Sequence, residues 1–304
     1  MSPRPPHPAS SNGPTAGHLV AGAGSKAPAP EGSGRASEGT RLTAEEIYEN
    51  VRKSAEEEME RPIRELAWSA VAAGLAISLS FVAAAYLSSL AEGPVGEALG
   101  AAGYPLGFIL VVIARQQLFT ENALHPVIPV LHHRSGDMVG RLLRLWAVVL
   151  VGNLVGTMLF GVAAARTPMF DAELHASLRR VAAHGTEGTF WFVAWRAVLA
   201  GWLVGLMAWL VASTRYTGAQ VALVWLATAP IAALNFRHSI AGSAEAFYRA
   251  SLGDATWGAM LGGFVVPSVL GNVVGGVLLV AVLNHAQVAP ARATEEERKV
   301  ITTS

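Results

Sequence analysis

Two clusters of polar and charged residues interrupt long apolar runs, one at 115–122 and the other at 235–239. The second cluster contains His238, and an unperturbed imidazole has a pKa of about 6.5, so this side chain can hold or lend a proton in the physiological range. A small anion that enters an apolar passage loses its hydration at an idealised cost on the order of 20 kcal/mol, whereas its neutral acid does not. The chemistry predicted is therefore proton transfer that helps a weak acid cross an apolar barrier; the alternative is a structural histidine with satisfied hydrogen bonds.

The sequence carries no pattern typical of an enzyme. It has no Gly-x-Ser-x-Gly, no glycine-rich phosphate loop and no His-Glu-x-x-His. His132 and His133 are adjacent, but neither a cysteine nor a group of carboxylates joins them, so we predict no metal site. We expect a protein that is not an enzyme and needs no cofactor.

Composition indicates a membrane protein. Hydrophobic residues make up 52% of the chain and charged residues only 14%. Three charge-free stretches, 66–91, 145–165 and 255–291, exceed the ~20 residues that a helix needs to cross the hydrocarbon layer. The formal net charge of zero argues against a nucleic-acid partner.

The apolar region contains an internal repeat. Gly-Asn-Leu-Val-Gly at 152–156 returns as Gly-Asn-Val-Val-Gly at 271–275, an offset of 271 − 152 = 119. Ala-Val-Ala-Ala-Gly at 70–74 resembles Ala-Val-Leu-Ala-Gly at 197–201, an offset of 201 − 74 = 127. If each half crosses the bilayer three times, the halves lie in opposite orientations, and the functional site is expected between them.

We therefore predict an all-α membrane protein with six transmembrane helices in an inverted 3+3 repeat. The second and fifth helices are expected to be broken by the two polar clusters. Unpaired backbone survives in a membrane only beside a cavity or inside protein, so these breaks are the candidate pore-lining elements. The predicted spans are approximately 66–90, 104–131, 142–163, 190–213, 217–250 and 257–285.

The domain boundaries follow from composition. Residues 1–45 are rich in Pro, Gly, Ser and Ala and are predicted to be a disordered tail. An amphipathic surface helix is expected at 46–65, with Thr43 and Glu46 spaced as a capping box. The channel domain covers 66–285, and 286–304 form a C-terminal cytoplasmic tail.

Loop charges predict the orientation. The connection after the first span carries Glu92 and Glu97 without Lys or Arg, whereas the one after the second span carries Arg134, Arg141 and Arg144. Both termini are therefore expected in the cytoplasm of a multi-pass protein of the plasma (inner) membrane. The longer third connection is expected to contain an external surface helix.

The order of these motifs resembles the formate/nitrite transporter family. The resemblance rests on Leu118-Phe119-Thr120 at the first break, on Phe-Arg-His-Ser-Ile-Ala at 236–241 and on the paired Gly-Asn-x-Val-Gly, and it covers about residues 60–285. It implies an aquaporin-like fold in contact with membrane lipid and a homo-pentamer in which each protomer has its own pore. It also implies small monovalent anions or their weak acids as solutes, such as formate, nitrite or hydrosulfide.

The resemblance also assigns roles to residues of the pathway. Leu118 and Phe119 would form a hydrophobic constriction, Thr120 would offer its hydroxyl to the anion, and His238 would be the central histidine. Ordinary helix packing is the alternative for Leu118 and Phe119. The chain departs from the family pattern at Ile231, where the family has the Phe of a second constriction. It also departs at Trp202, which replaces a pore-facing Asn, at Arg237, which replaces an acidic residue, and at Glu121, which follows Thr120.

Charged residues near the breaks suggest an ion pair. Glu121 could pair with Arg237 or with Arg115 and so tie the two breaks together. Alternatively, either arginine attracts anions into a vestibule.

The repeated motifs suggest packing residues. Asn153 and Asn272 are expected to bond backbone groups near the breaks or across helices. Glycines at one-turn spacing are expected to pack the two halves together, and they are Gly152, Gly156, Gly271 and Gly275.

Two other functions stay open at this point. One is an aquaporin-like pore for a neutral solute, although the paired Asn-Pro-Ala signature is missing. The other is a membrane scaffold that does not conduct, with its long N-terminal segment as the interacting element.

Overall fold

The computed structural model describes residues 42–283 together with 286 and 287. The predicted tail at 1–45 lies outside the described residues except for its last four positions, and the tail at 286–304 lies outside them except for its first two. The described part of the chain is helical and contains no strand. Its helices are α1 (Ala44–Glu60), α2 (Ile63–Ile77), α3 (Leu79–Ser89), α4 (Gly93–Gly103), α5 (Pro105–Ile113), α6 (Phe119–Asn122), α7 (Val127–His133), α8 (Gly136–Arg166), α9 (Ala172–Thr186), α10 (Phe190–Ala212), α11 (Thr217–Ala233), α12 (Ser239–Leu252), α13 (Trp257–Met260) and α14 (Val266–Gly276), with π-helical segments at Leu261–Val265 and Val277–Val282.

Helix α1 begins with the capping box that the sequence predicts. The Thr43 hydroxyl accepts from the backbone N–H of Glu46, and the Glu46 carboxylate accepts from the backbone N–H of Thr43. Such caps satisfy donors that the first helical turn leaves unpaired. The helix buries one face, lined by Ile47, Tyr48, Val51, Ala55 and Met59. This face packs against α7, α8 and α10, so α1 marks one end of the molecule.

Within the described residues, five continuous helical stretches are long and apolar enough to cross a membrane. They are Ile63–Ser89, Gly93–Ile113, Gly136–Arg166, Phe190–Ala212 and Trp257–Gly276. A shorter apolar helix, Thr217–Ala233, stands where the fifth predicted span begins. The all-α membrane fold is thus confirmed. The second span begins at Gly93 rather than near 104, because Pro94 sits in the first turn, where a fixed φ and a missing N–H favour a helix start.

The two breaks have the same backbone geometry. Helix α5 ends at Ile113 and α6 begins at Phe119, while α11 ends at Ala233 and α12 begins at Ser239. Arg115 has φ 52° and Asn235 has φ 54°, the left-handed conformation that stops a helix. Their positions differ by 235 − 115 = 120, close to the offset of the sequence repeat. The breaks are therefore repeated structural features.

The repeated glycines let two helix pairs approach closely. A Cβ on Gly152 would lie 2.6 Å from the Cβ of Ala70 in α2, and one on Gly271 would lie 2.6 Å from the Cβ of Ala197 in α10. Gly156 likewise faces the backbone of α2, and Gly275 faces that of α10. The expectation that these glycines pack one half against the other is wrong in this respect: each pair joins two helices of the same half. The repeat is responsible, because it duplicates the contact inside each half.

The surface helix expected between the third and fourth spans is α9. Asp171 caps it through a 2.8 Å hydrogen bond from the backbone N–H of Leu174. The helix packs on α3 and α12, at the opposite end of the molecule from α1. It therefore covers the side from which the vestibule described below opens.

Candidate functional site

The two breaks meet through one hydrogen bond. Thr120 Oγ1 lies 2.8 Å from His238 Nε2, and both side chains are almost completely buried, with 1% and 2% of their surface exposed. Thr120 belongs to the first turn of α6, and His238 is the N-cap of α12. The site therefore takes one polar side chain from each half of the repeat.

The second ring nitrogen of His238 fixes its tautomer. Nδ1 accepts a 3.1 Å hydrogen bond from the backbone N–H of Ala241, so in the neutral ring the proton is on Nε2. Nε2–H then donates to the Thr120 hydroxyl, which leaves the hydroxyl hydrogen of Thr120 free to donate elsewhere. The arrangement presents a neutral, oriented hydrogen-bond donor in an apolar setting.

Two asparagines hold the backbone of the breaks. Asn153 Oδ1 accepts from the N–H of Phe119 at 2.8 Å, and its Nδ2 donates to the carbonyls of Ala70 at 2.8 Å and Gln117 at 2.9 Å. Because irregular backbone inside a membrane needs internal partners, this amide stabilises the first break.

The second break has the same bracing. Asn272 Oδ1 accepts from the N–H of Ser239 at 2.7 Å, and its Nδ2 donates to the carbonyls of Ala197 at 2.7 Å and Arg237 at 2.9 Å. Asn153 and Asn272 thus make equivalent contacts 119 positions apart, and neither lines the cavity next to His238.

Apolar side chains surround the Thr120–His238 pair. Phe108 packs its ring edge-to-face on the imidazole with 4.8 Å between centroids. Leu118, Phe119 and Ile231 are buried in the same hydrophobic cluster. Trp202 does not lie beside the Thr120–His238 pair. Its neighbour Gly201 packs against Asn272, and Trp202 itself is 40% exposed on another face of α10. The structure therefore does not support Trp202 as a lining residue of the central passage.

A cavity of about 860 Å³ reaches the imidazole from the α9 end. We call it the vestibule, and His238, Arg237, Glu245 and Tyr104 line its deep part. The outer part is lined by α4 and α9 and includes Glu92. Of the central pair, His238 lines this cavity and Thr120 does not.

The predicted ion pair is absent. Among the described residues, Glu121 forms no ion pair with Arg115 or with Arg237. Arg115 is exposed. Glu121 interacts electrostatically with Glu58 of α1, so it belongs to the α1 side, whereas Arg237 belongs to the α9 side. Glu121 and Arg237 therefore lie on opposite sides of the two breaks.

Arg237 instead bonds the backbone near the end of α9. Its guanidinium donates at 3.0 Å to the carbonyls of both His184 and Glu187, and it also donates to the side-chain oxygen of Asn235. Only 3% of the residue is exposed, and it lines the vestibule. Arg237 therefore ties the second break to α9 and places a positive charge beside the pathway.

Sequence reasoning missed three residues of the site. Phe108 and Tyr104 carried no signal, because an aromatic residue in an apolar span is ordinary. Glu245 did carry a signal, because an acidic residue inside a membrane span, here the one predicted at 217–250, is costly to bury and therefore indicates a functional site. It is 5% exposed and lines the vestibule.

The fold and the site define a multi-pass membrane protein with a buried polar pair at the bottom of a solute-accessible vestibule. The family model described as formate/nitrite transporter matches residues 45–286. The chain belongs to the formate/nitrite transporter family, and the resemblance drawn from its motifs is confirmed.

Individual relatives agree. The chain is 35% identical over 243 residues to an inner membrane protein, YfdC, of Escherichia coli K12, which covers 80% of this chain and 78% of that protein. It is 31% identical over 241 residues to a probable formate transporter of Methanothermobacter thermautotrophicus, covering 69% and 87%. A solved pentameric formate channel with formate bound is 26% identical and superposes with a TM-score of 0.61 over 76% of this chain and 96% of that one.

Proposed function

We propose that this protein is a channel for small monovalent anions of weak acids, of the formate and nitrite class, which pass the centre as neutral acids. The observation that carries the proposal is the Thr120–His238 hydrogen bond, buried among apolar side chains and reached by the vestibule. Family membership and the similarity to a pentameric formate channel support it.

The central residues have the following roles in this proposal. Leu118, Phe119 and Ile231 form the apolar constriction, which excludes a hydrated anion because desolvating a charge is costly. The Nε2–H of His238 donates to the Thr120 oxygen and so holds the hydroxyl in place, and the free hydroxyl hydrogen of Thr120 offers a hydrogen bond to the solute. Arg237 attracts the anion into the vestibule.

The remaining features of the proposal come from the relatives and from the loop charges. The protein assembles as a homo-pentamer in the inner membrane, with both termini in the cytoplasm and with its two halves inverted. It is a conductor of solutes and not an enzyme. The vestibule then opens away from the cytoplasm.

The test is uptake of labelled formate and nitrite into liposomes that contain the purified protein, from about pH 5 to about pH 8. Wild type and His238→Ala are compared, with His132→Ala as the matched control, because His132 lies near the end of α7 and outside the site. Uptake that increases with acidity and is lost only in His238→Ala supports the proposal. Conduction of water without either anion would support the aquaporin-like alternative, and no conduction would support the scaffold.

A further inference from the structure

Glu245 is a mostly buried acid whose side chain borders the vestibule. Within the described residues it accepts no hydrogen bond and forms no ion pair, although the residue is only 5% exposed. A buried carboxylate that lacks a partner is strongly unfavourable, whereas a protonated carboxylic acid is not. The setting therefore favours the protonated form of Glu245 at rest.

The carboxyl group occupies a place that α9 leaves open for it. A Cβ added to Gly185 would overlap Glu245 Oε2, so the carboxyl rests directly on the Cα of Gly185. Glu245 also lines the vestibule, so this buried acid has access to the solute pathway. It lies seven residues beyond His238 on α12, which is about 10 Å along the helix axis.

Arg237 and His238 flank the deep vestibule from the break, and Tyr104 faces it from the α4–α5 junction. Arg237 is the cation that interacts electrostatically with Glu245, without forming an ion pair. A carboxylate created at Glu245 would thus be stabilised by a charge that the resting acid does not need.

The outer groups of the same cavity come from two elements. Glu173, Arg180 and His184 face it from α9, and Glu92 and Glu97 face it from α4 and the residue before it. Among the other elements that pack on α12, only α3 and the first π-helical segment line the cavity. The residues they contribute are Ala, Ser and Phe. Glu245 is therefore the acid between the rim and the central pair.

We propose that Glu245 is the proton donor that neutralises the anion in the vestibule before it reaches the constriction. The step rests on the proposed function. The anion takes the proton of the Glu245 carboxylic acid, which forms one O–H bond and breaks another, and leaves the neutral acid and a carboxylate facing Arg237. A proton from vestibule water restores Glu245, and a neutral acid arriving from the other side returns its proton by the reverse step.

This assignment gives His238 and Glu245 different tasks. Both ring nitrogens of His238 are engaged in hydrogen bonds, so the neutral ring holds the Thr120 hydroxyl in position for the solute. Glu245 makes no side-chain hydrogen bond within the described residues and holds a proton that it can exchange.

The test compares formate uptake in wild type and Glu245→Gln, which keeps the shape and removes the exchangeable proton. The matched control is Glu57→Gln, at an exposed position on α1 that does not line the vestibule, and Glu245→Asp should retain most activity. Near pH 8 we expect uptake by Glu245→Gln to fall by at least about fivefold. The difference in uptake between wild type and Glu245→Gln should become smaller toward pH 5, because the solution then supplies the neutral acid. The same uptake in wild type and Glu245→Gln at every pH would overturn the proposal. An equal loss of uptake at every pH would also overturn it, because such a loss indicates a structural role for Glu245.

A measurement without transport separates this inference from the proposed function. The infrared difference spectrum between wild type and Glu245→Gln should contain the carbonyl band of a protonated carboxylic acid at neutral pH, and the band should disappear at alkaline pH. Absence of that band at neutral pH would overturn the stored proton even if wild type conducts formate. Wild type that conducts neither anion would instead overturn the proposed function and the transfer step with it.

Discussion

Thr120 and His238 stand 118 positions apart in the chain, and a 2.8 Å hydrogen bond joins them between the two breaks. Each side chain alone would be a buried polar group in an apolar surround, and burial without a hydrogen bond is costly. The bond satisfies the imidazole while leaving one hydroxyl hydrogen of Thr120 unused. The pair is therefore stable and still able to bind a solute.

Replacing Thr120 by Val tests this pair. Valine keeps the shape of the side chain but removes the acceptor of His238 Nε2–H and the free hydroxyl hydrogen. We expect formate uptake into liposomes to fall about tenfold or more, equivalent to ~1.4 kcal/mol of barrier. Thr120→Ser keeps the hydroxyl and should retain uptake within about threefold. Equal loss in both variants would contradict the hydrogen-bonding role.

Asn153 and Asn272 should contribute similarly to stability, because each makes three equivalent hydrogen bonds to backbone. Each Asn→Ala change leaves buried backbone groups unpaired, and we expect a loss of about 2 kcal/mol or more in unfolding free energy. Thermal unfolding of the detergent-purified protein is the measurement. Asn50→Ala, an exposed position on α1, is the control and should change little. A large difference between the two buried variants would argue against equivalent bracing.

The positions of the breaks could be predicted from sequence, since polar residues such as Gln116 and Asn235 interrupt apolar runs and hydrocarbon penalises such interruptions. The pairing of Thr120 with His238 could not be derived from local pattern, because it joins residues from two halves. The family resemblance assigned both residues to the pathway but predicted no bond between them. The ion pair of Glu121 was wrong for a related reason. Sequence gives the order of charges along the chain but not the side of a break on which each one lies.

Glu121 and Arg237 should differ sharply when each is neutralised. Glu121→Gln removes a charge that has no cationic partner among the described residues, so we expect unchanged or slightly higher thermal stability. Arg237→Gln removes donors to two backbone carbonyls and should cost about 2 kcal/mol or more. Unfolding temperatures of both variants decide the matter. Arg115→Gln, at an exposed position, is the control. If Glu121→Gln were as destabilising as Arg237→Gln, an ion pair would have to exist after all.

Glycine spacing on α8 gives the sharpest packing test, because the same helix supplies its own control. A Cβ at Gly156 would lie 2.9 Å from the Cα of Gly74 and would overlap the carbonyl oxygen of Val71, whereas nothing lies within 4 Å of a Cβ at Gly140. Backbone cannot move aside as a flexible side chain can, so Gly156→Ala must separate α2 from α8. We expect a loss of about 1 to 3 kcal/mol in unfolding free energy, as for other overpacked cores.

Gly140→Ala should do the opposite. Alanine is favoured over glycine in a helix by about 0.8 to 1 kcal/mol, and open space leaves that gain uncancelled. Gly275→Ala, which would place a Cβ 2.7 Å from the backbone nitrogen of Trp202 in α10, should match Gly156→Ala, since the repeat duplicates the contact. Thermal unfolding of the three variants in detergent gives the comparison. Stabilisation at all three positions would mean that the helices of each half are not in close contact, and destabilisation at Gly156 alone would limit that contact to the first half.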